Sequence, residues 1–231
     1  MTEREGLLRA ICEAPDDDAP RLVYADWLDE HGDPLQAEFI RVQIEMARIP
    51  KDERGNHPLA ATIASCSDFR KWRFVPGHWP RLNLNRCERG FNTFWSGSAQ
   101  EFLVAAPTFW RLDPIQSITV WVERRNEATN NVACEVAASE WLHHVRNLRL
   151  FGRCVNDEWV LELSRSAAAE KWRHLHIEGF RLTDAACHSL ATSQLVSNGC
   201  HLEFVVSSGI SRRGTHQLVS AFGDRCKLTR S

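Results

Sequence analysis

Val145-Arg146-Asn147-Leu148-Arg149-Leu150 returns 27 residues later as Trp172-Arg173-His174-Leu175-His176-Ile177, and after a further 27 as Gly199-Cys200-His201-Leu202-Glu203-Phe204. Working backwards, the same apolar spacing occurs at Ile115-x-x-Ile118-x-Val120, 30 residues earlier. Its weakest form is Phe91-x-x-Phe94-x-Ser96, 24 residues before that. Side chains alternate between the faces of a strand, so the apolar positions of each copy face inward and those between them face outward. Val155-Asn156-Asp157, Leu182-Thr183-Asp184 and Ile210-Ser211-Arg212 sit at equivalent places between the strands. Each offers a side chain able to cap a following helix. Leu163, Leu190 and Leu218 fall eight residues after the leading apolar residue of each triplet.

A short strand and a helix every 24–30 residues is the period of a leucine-rich-repeat solenoid, in which each unit buries its apolar side only by stacking on its neighbours. The expected fold is therefore α/β: a helical N-terminal module over residues 1–75, then a solenoid of about five units over residues 90–231. Its parallel strands would line the concave face and its helices the convex one. A compact α/β domain with evenly spaced strands is the alternative. In the solenoid register, outward side chains fall into columns: Ser117, Asn147, His174, His201; Thr119, Arg149, His176, Glu203; and Trp121, Phe151, Glu178, Val205.

Two functions compete for that surface. Trp and Arg dominate interface hot spots, so Trp121, Arg149, Phe151, His176, Glu178 and Glu203 are the candidate contacts for a protein partner, with the two aromatics as anchors. Adjacent parallel strands lie about 4.8 Å apart. His174, His176, His201 and Glu203 could then converge as a zinc-type ligand set, which would make the chain a metal-dependent hydrolase. The protein-binding reading leads, with no cofactor, no metal and no catalytic residue assigned. The chain lacks GxSxG, GxxxxGK[ST], HExxH and a GxGxxG after a strand. Cys187-His188 would point about 100° apart on a helix, so it reads as packing.

Residues 1–50 read as three helices. Thr2-x-x-Glu5 has the form of a capping box opening the first. In the second, residues 21–31, Val23 and Trp27, and Ala25 and Leu28, stand at helical spacing, with Trp27 expected in the core and Gly32 as the stop. Asp33-Pro34 then caps a third helix with a stripe of Leu35, Phe39, Val42, Met46 and Ile49 and a solvated face of Glu38, Arg41, Glu45 and Arg48. A fourth helix is expected over residues 58–74. Asp26, Asp29, Glu30 and Asp33 cluster near Tyr24 and His31 as an acidic docking patch, a hard-cation site or, more simply, a solvated helix face.

The run Arg21-Leu22-Val23-Tyr24-Ala25-Asp26-Trp27-Leu28-Asp29-Glu30-His31-Gly32-Asp33-Pro34, with Ala37-Glu38-Phe39-Ile40-Arg41-Val42-Gln43, closely resembles the repeat-companion domain. That module is found chiefly in planctomycete and myxobacterial proteins, often ahead of leucine-rich repeats. Arg89-Gly90-Phe91 resembles the junction where the repeats begin, and the repeats themselves resemble the ribonuclease-inhibitor type. The turns are degenerate, and residues 123–132 form an inserted loop. The resemblance implies an interaction module, an adaptor or inhibitor, and no transferable chemistry.

Composition agrees with a folded chain of 231 residues: 43% hydrophobic, 25% charged, 12 Gly and 9 Pro. No apolar run reaches the roughly 20 residues of a membrane helix, and the first residues are charged, so a cytoplasmic protein without a membrane partner is expected. The eight cysteines form no CxxC and read as free thiols. Net charge is -2, which argues against a phosphate-backbone ligand. The charge is divided unevenly. Residues 1–55 hold 14 carboxylates against 7 Lys and Arg, and the remainder holds 16 against 21. The basic residues between 70 and 89 are the one candidate polyanion patch, and a possible dock for the acidic module.

Overall fold

The computed structural model describes residues 2–65, 87–123 and 130–230. The chain forms two compact units, residues 1–94 with 108–115, and residues 95–107 with 116–231.

The first unit is helical: α1 (Glu3–Glu13), α2 (Ala19–Glu30), α3 (Pro34–Ala47) and α4 (Pro58–Ser65), then a hairpin of β1 (Cys87–Glu88) and β2 (Phe91–Asn92). Thr2 and Glu5 cap α1 reciprocally, and the Asp33 carboxylate accepts the Gln36 N–H at the start of α3. Leu8 and Ile11 of α1, Tyr24, Ala25 and Leu28 of α2, and Ala37, Ile40 and Ile44 of α3 close one core around Phe91. Arg21 is 1% exposed within this unit. It donates to the carbonyls of Asp17 and Pro15 at 2.6 and 2.8 Å and lies 5.7 Å over the Phe91 ring. The Arg89-Gly90 turn has φ of 53° and 83°, the left-handed pair that a two-residue hairpin of the right twist requires. At Gly90 a Cβ would lie 2.5 Å from Ile40 Cγ1, so backbone and α3 touch directly.

Three expectations for this unit are corrected. Leu35 is 55% exposed, whereas Ala37, Ile40 and Ile44 are buried beside Phe39 and Met46. The helix buries two flanks, one against α2 and one on the Phe39–Met46 side, and a single-stripe reading finds only the second. Trp27 is partly buried rather than central. It stacks on Tyr24 and His31, and its indole N–H donates to Glu3. Arg41 leaves its own helix face to bind Asp26 and Asp29 of α2, both at 2.7 Å. α4 is seen over Pro58–Ser65; the rest of the expected fourth helix, and the basic residues 70–86, lie outside the described residues. Arg89 itself meets Asp18 at 3.4 Å and the Asp16 carbonyl at 2.7 Å.

The second unit is built on six strands in strict sequence order: β3 (Phe94–Ser98), β4 (Ser117–Trp121), β5 (Asn147–Asn156), β6 (His174–Arg181), β7 (His201–Val206) and β8 (Cys226–Arg230). The pairs from β4 to β8 are parallel. Between them run α5 (Ala99–Phe109), α6 (Asn130–Ala137), α7 (Asp157–Arg165), α8 (Asp184–Ala191), the short α9 (Gln194–Ser197) and α10 (Arg212–Phe222). Strand pairing follows the counted repeat residue for residue: Leu148 beside Leu175 beside Leu202, and Leu150 beside Ile177 beside Phe204. Leu163, Leu190 and Leu218 are buried beneath the sheet's apolar face. The weakest copy differs from the counted register by one residue. In β3, Trp95 and Gly97 are buried while Phe94 and Ser96 are half-buried. A one-residue slip exchanges the two faces of a strand, and Phe91 belongs to the first unit's core instead.

The helix starts also join one copy to the next. Asn156, Thr183 and Ser211 each accept a backbone N–H at the head of their helices. The Asp157 carboxylate takes the Thr183 N–H at 2.8 Å and its hydroxyl at 2.6 Å; Asp184 takes the Ser211 N–H and hydroxyl at the same distances. Each hydroxyl thus accepts from its own helix and donates to the previous one, while the carboxylate sits at the positive end of a helix dipole. Arg212 occupies the third copy's equivalent place, and the ladder ends there.

Hydrogen bonding from Ser211 holds the Asp184 carboxyl below its usual range. A depressed carboxylate stabilises the fold above its ordinary value and stops doing so as pH falls through the folded one. Asp184→Asn should therefore melt lower than the parent at pH 7, with the gap closing below about pH 4, as followed by circular dichroism. Gly152 has φ of 144°, and a Cβ there would lie 2.5 Å from the Val122 carbonyl oxygen. Gly152→Ala should destabilise by more than about 1 kcal/mol in denaturant titration.

Candidate functional site

The exposed face of β4 to β8 follows from the buried one. With Ile118 beside Leu148 and Leu175 beside Leu202, Thr119, Arg149, His176 and Glu203 must stand in one column on the opposite side. Lys227 of β8 extends that column, opposite Glu203. Trp121, Phe151, Glu178, Val205 and Thr229 form the next, and Ser117, Asn147, His174 and His201 the one before.

Within these columns the side chains form a connected network. Trp121, 40% exposed, meets Phe151 edge to face at 6.2 Å between centroids and 73° between planes. The Arg149 guanidinium lies 5.2 Å over the Phe151 ring and reaches Glu178 at 3.3 Å. Glu178 lies 3.6 Å from Nε2 of His176, whose Nδ1 is 3.0 Å from Glu203. The other oxygen of Glu203 accepts from Lys227 at 2.6 Å. The chain of contacts runs from aromatic step to cation, acid, imidazole, acid and cation across five strands.

Lys227 first, and His176 second, hold the Glu203 carboxyl below its usual range by hydrogen bonding. When Nδ1 donates to Glu203, neutral His176 is left with Nε2 as a bare acceptor. That nitrogen is buried and has no hydrogen-bond partner. In the preceding column the His174 and His201 rings stack 5.1 Å apart at 22°, and Asn147 donates to the Ser117 hydroxyl at 2.9 Å.

All six residues singled out from the sequence thus lie on one face of one sheet. The four residues of the proposed zinc set share that face too, but in two arrangements: His174 and His201 stacked on each other, His176 and Glu203 hydrogen-bonded within the ion network. Among the described residues no group of three or more His, Cys, Asp and Glu side chains is arranged to hold a metal ion. Lys227 is the participant that sequence reasoning missed. Its signal was present, since Cys226-x-Leu228 follows Leu202-x-Phe204 by 24 residues, within the observed period.

Other candidates separate from this face. Cys187 is fully buried in α8 and burial pushes its thiol up to about 12, the opposite of an activated nucleophile. Cys200 is likewise buried and raised to about 11. Trp159, Trp172 and Trp110 are buried, Trp141 is partly exposed, and Trp72 and Trp79 lie outside the described residues. Asp26 and Asp29 are engaged by Arg41. Among the described residues no helix is long and apolar enough to cross a membrane. No protein-family model, no curated protein and no solved structure matches the chain.

Lys227→Met should return the Glu203 carboxyl toward its usual range. A carboxyl carbon NMR titration should record the upward shift, and the stabilisation that Glu203 gives above that range should shrink. An unmoved Glu203 titration would show that Lys227 does not hold it.

Proposed function

We propose that this chain is a non-enzymatic interaction module, an adaptor or inhibitor-type regulator, that holds a protein partner on the exposed face of its parallel sheet. The carrying observation is the joined surface itself: an exposed Trp121 set edge to face with Phe151, continued by Arg149, Glu178, His176 and Glu203. Exposed large aromatics beside fixed charges are the composition of interface hot spots, the aromatic supplying apolar area and the charges orientation. A rigid scaffold favours this use, because the side chains lose little freedom when a partner arrives.

Sequential parallel strands at a 24–30-residue period, with Asp157 and Asp184 tying each helix start to the next, support a leucine-rich-repeat solenoid with this face on its concave side. The likeness of residues 21–43 to the repeat-companion domain points the same way. On this reading the helical unit accompanies the repeats, and the cell compartment is the cytoplasm.

The test is capture of binding proteins from lysate by the intact chain and by a Trp121→Ala, Phe151→Ala double variant, identified by mass spectrometry. Loss of a specific partner by a variant with unchanged circular dichroism supports the proposal. Undiminished capture by that variant removes this face from consideration.

A further inference from the structure

Resting on that reading, we infer that the sheet face selects an acidic peptide segment carrying an apolar anchor. Unused hydrogen-bond donors along the central network support this. Glu203 meets Lys227 with one oxygen and His176 with the other. Glu178 accepts from Arg149 through one oxygen. Arg149 carries five N–H donors and Lys227 three, and each commits a single nitrogen to an acid in the network. Both cations therefore keep free donors, which acceptors on a partner would fill.

Exposure separates the charges in the same sense. The side chains of Lys227 and Arg149 are 71% and 48% exposed, those of Glu203 and Glu178 37% and 32%. An arriving ligand meets the cations first, while the acids lie lower, tied to His176. An arginine held over an aromatic ring and against a carboxylate is pre-oriented, so a second, bidentate carboxylate contact costs it little further freedom. Beside it the Trp121–Phe151 step offers apolar area with no charge of its own. The geometry thus places an apolar side chain on Trp121 and Phe151 and an acidic group next to it on Arg149, with further acidic residues running across the strands toward Lys227. A basic segment would instead compete with Arg149 and Lys227 for acids already engaged.

The experiment uses the intact chain and three fluorescein-labelled probes: Glu-Asp-Glu-Trp-Glu-Asp-Glu, its twin with every acid replaced by Lys, and its twin with Trp replaced by Ser. Anisotropy titrations at low salt should give saturable binding of the acidic Trp probe. It should bind at least about tenfold more tightly than either twin and weaken with salt as a screened contact does. Arg149→Glu should lose at least about tenfold, and Trp121→Ala with Phe151→Ala should approach the Ser twin's affinity. Equal binding of the basic twin, or no saturable binding of the acidic probe, would overturn the acidic assignment, while the docking face stands or falls separately on the capture experiment. Acidic-probe binding that survives the double aromatic substitution would likewise overturn the inference, because the apolar anchor is part of it.

Discussion

Leu148, Leu175 and Leu202 lie side by side on three adjacent strands, buried and in register, with Leu150, Ile177 and Phe204 beside them two residues on. This apolar seam constrains the rest of the second unit. Removing such side chains from water is worth roughly 1.5–3 kcal/mol each, and the gain requires that every strand present the same face. A strand shifted by one residue would put Arg149 or His176 into that layer and a leucine into solvent. The register is therefore fixed from the buried side, and the exposed columns follow from it.

The helix ends reinforce this order. A parallel strand cannot turn directly into its neighbour and needs a crossover, so each unit spends a helix on the return. The heads of those helices leave backbone N–H groups without partners. Asn156, Thr183 and Ser211 satisfy them, and Asp157 and Asp184 use the same hydroxyls to bind the next copy. A local capping device thereby joins repeat to repeat. Glycine serves the same spacing, since the backbone at Gly152 passes too near Val122 to admit a side chain.

On the exposed face the charges alternate across two adjacent columns, and the consequence is a surface that holds its own shape. Arg149, Glu178, His176, Glu203 and Lys227 constrain one another, so their charged groups are held in fixed orientations. Individual exposed ion pairs contribute little to stability. Their value here lies in orientation, since each side chain is held by its neighbours. The first unit shows a different use of charge, with Arg21 buried against backbone carbonyls and Arg41 bridging two acids of the neighbouring helix.

Period and pattern alone determined the parallel strands, their partners from β4 to β7, the N-caps and the columns, because a repeated apolar spacing leaves few ways to bury every copy. The capping box at Thr2 and Glu5 and the Asp33-Pro34 start were equally legible, being local interactions within a few residues. Tertiary structure decided what depends on neighbours distant in sequence. It slipped the weakest copy by one residue, since Trp95 and not Phe94 fills the layer there, and it added β8, whose Lys227 completes the network on Glu203. It turned α3 so that two of its flanks are covered, which no single helical stripe encodes. It also set the orientation of the histidine rings, because that depends on which carboxylate or imidazole stands across the strand gap, and spacing along the chain carries no such angle.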